Sequence, residues 1–125
     1  MRRYGKVATE AVYMAQSGVD PVNAWQRAAE NEFVDRVAAI KKGCPKSAFL
    51  GLAEEGHIQG IPSGSYTTSK RNKRYALELF RLLKDDNGLV DDRRTLWVRA
   101  CGPEHKSHNG QMDVVIALWS EGLLR

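Results

Sequence analysis

Cysteine is scarce in this sequence of 125 residues: Cys44 and Cys101 are the only two. Two thiols cannot build a disulfide scaffold, and none is needed, because a chain this long buries about two-thirds of its unfolded surface. So sparing a use of cysteine points to a reducing, cytoplasmic setting. Long apolar runs are missing too. Nothing approaches the ~20 apolar residues of a membrane span. The start, MRRYGKVATEAVYMAQ, lacks the continuous apolar segment and small-residue cleavage site of a secretory signal. With no repeat, low-complexity tract or long linker, one soluble domain over residues 1–125 is expected, without a membrane contact. Acid is locally absent as well: no Asp or Glu occurs from Gly56 to Leu77.

What remains is ordinary for a globular protein, with 42% hydrophobic and 27% charged residues, a balance that excludes a disordered chain. The formal charge is +4, unevenly spread. Residues 41–84 hold nine Lys or Arg against three Glu, while the rest of the chain is net acidic. An anionic partner would meet this middle segment.

The apolar spacing predicts a mainly α fold, a compact bundle of five or six helices with a long central loop or small hairpin. A first helix runs from about Tyr4 to Gln16, with Gly18 as its stop. Asp20 followed by Pro21 starts a second. It continues either unbroken to Lys41–Lys42–Gly43 or with an interruption near Asn31, carrying Trp25, Ala29 and Phe33 on one face. Pro45 opens the helix PKSAFLGLAEE, closed by Gly56. The stretch HIQGIPSGSYTTS is irregular, with Ile58 and Ile61 anchoring a hairpin or wing. From about Asn72 to Lys84, Tyr75, Ala76, Leu79, Phe80, Leu82 and Leu83 form a core face. A short helix at Asp92–Ala100 follows. A last one from about Asn109 buries Met112, Val115, Ile116 and Trp119, before Gly122 stops it and Leu123–Leu124 fold back.

Four runs, KGCPKSAFLGLAEEG, GIPSGSYT, NKRYAL and NGQMDVVIALW, together resemble a family of small bacterial proteins with a GCPK-AFLGL-EEG and GIP-G-YT pattern. In that pattern a cysteine often follows the GL, where this chain has Ala53, so a thiol there is not central to what the family shares. The resemblance implies a compact bacterial domain. No activity is established for that family, so it supplies no catalytic residues.

The strongest chemical signal is basic. Lys70, Lys73, Arg74, Leu77, Arg81 and Lys84 fall within about 100° of one another on the helical wheel, opposite the core face. Lys70, Arg71, Lys73 and Arg74 also stand near the helix start, where the dipole disfavours cations. Ahead of them, Ser63, Ser65, Thr67, Thr68 and Ser69 offer hydroxyls and backbone N–H groups. Together, Ser63, Ser65, Thr67, Thr68, Ser69, Lys70, Lys73, Arg74 and Arg81 are the candidate anion-binding set, for a phosphorylated ligand or a nucleic acid. The competing reading is a solvated basic face. GIPSGSYTTSK lacks P-loop spacing, which argues against nucleotide hydrolysis. A helix-turn-helix would need a shorter turn than the ten-residue loop here.

Enzymatic readings have less support. Cys44 beside Lys46 at a helix start could be a nucleophile with His57, His105 or His108 as base, but no signature surrounds it. Cys101, His105, His108 and Asp113 have loose zinc-ligand spacing, and a surface loop explains them as well. Glu54 and Glu55, neighbours on a helix, point about 100° apart and do not form a paired acid–base device. The expectation is therefore a non-enzymatic binding module contacting an anionic partner, with no cofactor and no metal. The alternatives are a small enzyme using Cys44 or the His105/His108 segment, and a structural homo-oligomer subunit.

Overall fold

Local signals place most of the helices. In the computed structural model, which describes residues 2–102 and 108–125, the helices are α1 (Arg3–Gln16), α2 (Pro21–Glu32), α3 (Val37–Lys41), α4 (Gly43–Glu54), α5 (Lys70–Asp85), α6 (Arg93–Cys101) and α7 (Gln111–Ser120), with a 3-10 turn at Asn87–Asp91. The fold is mainly α. Among the described residues the sole β feature is an isolated antiparallel bridge, Ile58 to Leu124. No helix among them is long and apolar enough to cross a membrane. Asp20 caps α2, accepting from the Asn23 amide at 3.1 Å, with Pro21 in the first turn where its missing N–H is not needed. Asp92 caps α6 in the same way, accepting from the Thr95 amide at 3.1 Å. Gly18, at φ +112°, turns the chain out of α1.

The two readings of residues 21–42 resolve in favour of a break. Phe33 is buried against the Tyr4 ring, with centroids 4.9 Å apart. Arg3 terminates α2 by donating to the Glu32 carbonyl at 2.6 Å, which satisfies one of its open C=O groups. Asp35 then takes φ +65° and turns the chain. A helix ends at Lys41, as expected, but Gly43 is not its cap and opens α4. Lys42 is the extended joint shared with α3, and Pro45 falls inside the first turn of α4.

Ile58 and Ile61 do not form a hairpin. Both are buried, and Ile58 meets the returning C-terminal residues instead. The Gln59 amide donates to Leu123 O at 2.9 Å, and the Arg125 amide to His57 O at 2.8 Å. A wing would need two extended arms pairing with each other; here the pairing partner is the segment Leu123–Arg125, folded back after Gly122.

One core unites the helices. α1 packs on α2 and α7, and α4 on α5 and α7. Trp25, Phe49, Leu79, Leu96 and Met112 lie at its centre, and the Trp25 and Phe49 rings stand 5.3 Å apart. All six apolar residues read as the core face of α5 are buried. α7 buries Met112 and Val115 as expected, but not Ile116 and Trp119. It is wedged among α1, α4 and α5, so Val114 and Leu118 are fully buried while Ile116 and Trp119 are only half-buried. Gln111, buried at the start of α7, donates to Asn72 Oδ1 at 3.0 Å and accepts from the Asn109 amide at 2.5 Å.

α4 and α5 approach closely. A Cβ built at Gly51 would lie 2.8 Å from Lys73 Cα, so the glycine lets the two backbones touch. Helix propensity alone makes Gly51→Ala stabilising by about 1 kcal/mol. Packing reverses the sign, and a loss of about 1–3 kcal/mol in urea unfolding is expected. A gain would show that the contact relaxes at no cost.

Candidate anion-binding site

The close approach at Gly51 delivers Lys73 to the C-terminal turn of α4. Its ammonium pairs with Glu54 and, at 2.7 Å, with Glu55. The two carboxylates, about 100° apart on the wheel, are thus bridged by one cation that is 19 residues from Glu54 in sequence. Glu54 Oε1 also accepts from the Tyr66 amide at 2.9 Å and the Thr67 amide at 3.0 Å. Burial works to raise the Glu54 pKa. The Lys73 hydrogen bond, the two amides and the Lys73 charge outweigh it and hold the carboxyl below the usual range. Hydrogen bonds to Glu54 and Glu55 hold Lys73 above the usual lysine range. The node pins residues 64–68 onto α4, an attachment that Gly64 N reinforces by donating to Glu54 O at 3.1 Å.

This pinning forms one wall of a cavity of about 520 Å³. Ser65, Tyr66, Thr67 and Thr68 line that wall. Gly43, Lys46, Ser47 and Leu50 of α4 line another, and Lys41 at the end of α3 and Val22 at the start of α2 complete it. The described lining contains no acid. Neither Lys41 nor Lys46 has an ion-pair partner among the described residues. A Cβ built at Gly43 meets nothing within 4 Å. Two cations, four hydroxyls and the start of a twelve-residue helix thus converge on one recess, an environment suited to an anion.

The structure divides the candidate set. Ser65, Thr67 and Thr68 line the cavity. Ser63 is exposed beside Gly56. Ser69 directly precedes α5, and its Oγ accepts from the Asn72 side-chain amide at 3.1 Å. Lys70, Lys73, Arg74 and Arg81 border a separate groove on the outer face of α5 with Leu77 and Glu78. Lys73 and Arg81 are not free members of a basic stripe: Lys73 is committed to Glu54 and Glu55, and Arg81 to Glu78 and, at 3.0 Å, to Asp85. The Arg74 guanidinium stands 5.5 Å from the Tyr75 ring centroid. Sequence reading missed Lys41, Lys46 and Ser47, which the joint at Lys42 brings opposite residues 65–68; only their place in the net-basic segment 41–84 hinted at them.

Cys44 is half-buried in the first turn of α4, and Cys101 is buried at the end of α6. His57 Nδ1 lies 3.1 Å from Arg125 O, and its ring packs edge-on against Phe80. His108 is exposed, with its ring 5.8 Å from that of Trp97, and His105 lies outside the described residues. Asp113 is paired with Arg93 and, at 3.5 Å, with Arg2. Among the described residues, no three His, Cys, Asp or Glu side chains are grouped as metal ligands would be.

No curated protein and no solved structure matches the chain. Its match is to the family of unknown function DUF6979, over residues 1–125, and the chain belongs to that family.

Proposed function

We propose that this chain is a non-enzymatic binding domain that holds a small anionic ligand in the cavity between the start of α4 and residues 65–68. The supporting observation is that Lys41 and Lys46 have no ion-pair partner among the described residues and stand beside four Ser and Thr hydroxyls, in a recess with no acid among its described lining residues. The outer face of α5 has more cations, but Lys73 and Arg81 are already neutralised by carboxylates. A cation held by a protein carboxylate has to give up that partner before it can bind an external anion.

Gly43→Asp tests this reading without disturbing the fold. The new side chain has room, since a Cβ there meets nothing within 4 Å. A carboxylate in the first turn of a helix stabilises it by about 0.3–1 kcal/mol. Thermal unfolding of the variant should therefore be unchanged or slightly raised. Its stabilisation by inorganic phosphate and by phosphorylated metabolites should fall at least about tenfold in apparent affinity, because a fixed negative charge now faces the site. Equal binding by the variant and the wild type would move the site elsewhere. Absence of any anion-dependent stabilisation would remove the reading.

A further inference from the structure

We infer that the ligand of this cavity is a phosphomonoester, a dianionic phosphate head on an uncharged and partly apolar body. This rests on the anion-binding reading of the same cavity. The charge count supports the head group. Lys41 and Lys46 supply two positive charges, and the described lining brings no negative one. A phosphomonoester carries close to two negative charges at neutral pH, its second pKa being about 6. A phosphodiester carries one.

The donors suit the same group. Ser47, Ser65, Thr67 and Thr68 each bring a hydroxyl. Thr67 Oγ1 already accepts from the Ser69 amide at 3.2 Å, which leaves its O–H to donate outward. Three terminal phosphate oxygens can take these donors and both ammonium groups.

The size and the remaining wall require a body behind the head. At about 520 Å³ the space is in the range of pockets that hold small organic ligands, about 300–1,000 Å³, and exceeds what a lone phosphate fills. Val22, Leu50 and the Tyr66 ring supply apolar surface. Tyr66 is fixed as a wall. Its amide donates to Glu54 at 2.9 Å, its hydroxyl donates to Pro62 O at 2.6 Å, and a Cβ at Gly64 would lie 2.9 Å from its ring. A polynucleotide fits less well, because its affinity accumulates over many phosphate contacts and this recess offers only two lysines.

The test is calorimetric titration of the full chain at about pH 7.5 with four probes: inorganic phosphate, phenyl phosphate, diphenyl phosphate and a single-stranded oligonucleotide. Phenyl phosphate should bind about tenfold tighter than inorganic phosphate, the effect of burying part of one ring. Diphenyl phosphate, a monoanion with more apolar surface, should bind at least about tenfold more weakly than phenyl phosphate. Phenyl phosphate affinity should decline below about pH 6, where the head group loses its second charge while both lysines stay protonated. Gly43→Asp should weaken phenyl phosphate binding at least about tenfold, which locates it.

Equal affinity for phosphate and phenyl phosphate would overturn the phosphomonoester and leave the anion site standing. So would diphenyl phosphate binding as tightly as phenyl phosphate. Salt-sensitive oligonucleotide binding that phenyl phosphate displaces and that Gly43→Asp weakens would overturn it in favour of a polyanion. Binding of none of the four would overturn this inference and the anion site together.

Discussion

Trp25→Ala should lower the free energy of unfolding by about 3–5 kcal/mol, the usual cost of deleting a large aromatic from a packed core. Trp25 is 0% exposed, and its ring lies 5.3 Å from that of Phe49. It links α2 to α4, so the void would open between two layers rather than at an edge. Urea unfolding followed by circular dichroism gives the value directly, and the denaturant slope should not change. In a domain of this size each kcal/mol moves the melting temperature by about 3–5 °C, so a fall of about 10–20 °C is expected. Trp119, half-buried at the rim, provides the contrast, and its truncation should cost clearly less. A loss below about 1 kcal/mol for Trp25→Ala would mean that α2 does not present this face to the core.

Glu54→Ala should cost about 3 kcal/mol, a large effect for a polar side chain. The carboxylate is 11% exposed and Lys73 is 22% exposed. Removing Glu54 strands the Tyr66 and Thr67 amides and leaves the part-buried ammonium with Glu55 alone. Hydrogen bonds to a charged group contribute about 1.5–3 kcal/mol, and donors left unsatisfied add their desolvation cost. Glu54→Gln keeps an acceptor for both amides and should lose about half as much. A double-mutant cycle with Lys73→Met should show a coupling of about 1–2 kcal/mol between the partners. Near-zero coupling would mean that the pair is only an exposed contact.

The same node sets a pH dependence. The folded-state pKa of Glu54 is depressed, so its contribution is complete above the ordinary glutamate value of about 4.3 and is lost as pH falls through the lower folded value. Lys73 is raised, so its contribution is complete below the ordinary lysine value of about 10.4 and is lost only as pH rises past the folded value. Wild type and Glu54→Gln should therefore differ most at neutral pH and converge in acid. A difference that persists unchanged at about pH 2 would show that ionisation of Glu54 contributes nothing.

Helical class, the cap at Asp20 and the core face of α5 were legible because each depends on residues within a few positions of one another. Periodicity and N-caps are local and survive without a partner. The boundary errors have a common origin. Lys41–Lys42–Gly43 has the composition of a helix end, and an isolated segment would stop there. A helix does stop there, at Lys41, but the chain bends at Lys42 and re-enters a helix at once, and the new helix buries Phe49, Leu50 and Leu52 in the core. The face of α7 was misjudged at Ile116 and Trp119 for a related reason. Its residues are apolar nearly all round, so sequence supplies no contrast, and neighbours on three sides choose which residues are buried.

The candidate site shows the division most clearly. Sequence by itself determined that residues 41–84 form the basic segment of a helical domain, and that the hydroxyl-rich stretch 63–69 adjoins its cations. Tertiary structure alone decided which charges are available. Gly51 lets α5 close on α4, which turns Lys73 inward to Glu54 and takes it out of the basic stripe. The anchored loop then faces Lys41 and Lys46, 19 to 27 residues earlier in the chain. Charge composition is additive and can be read from a string of letters, but ion pairing depends on distances of a few ångströms, and in this protein a single helix crossing sets them.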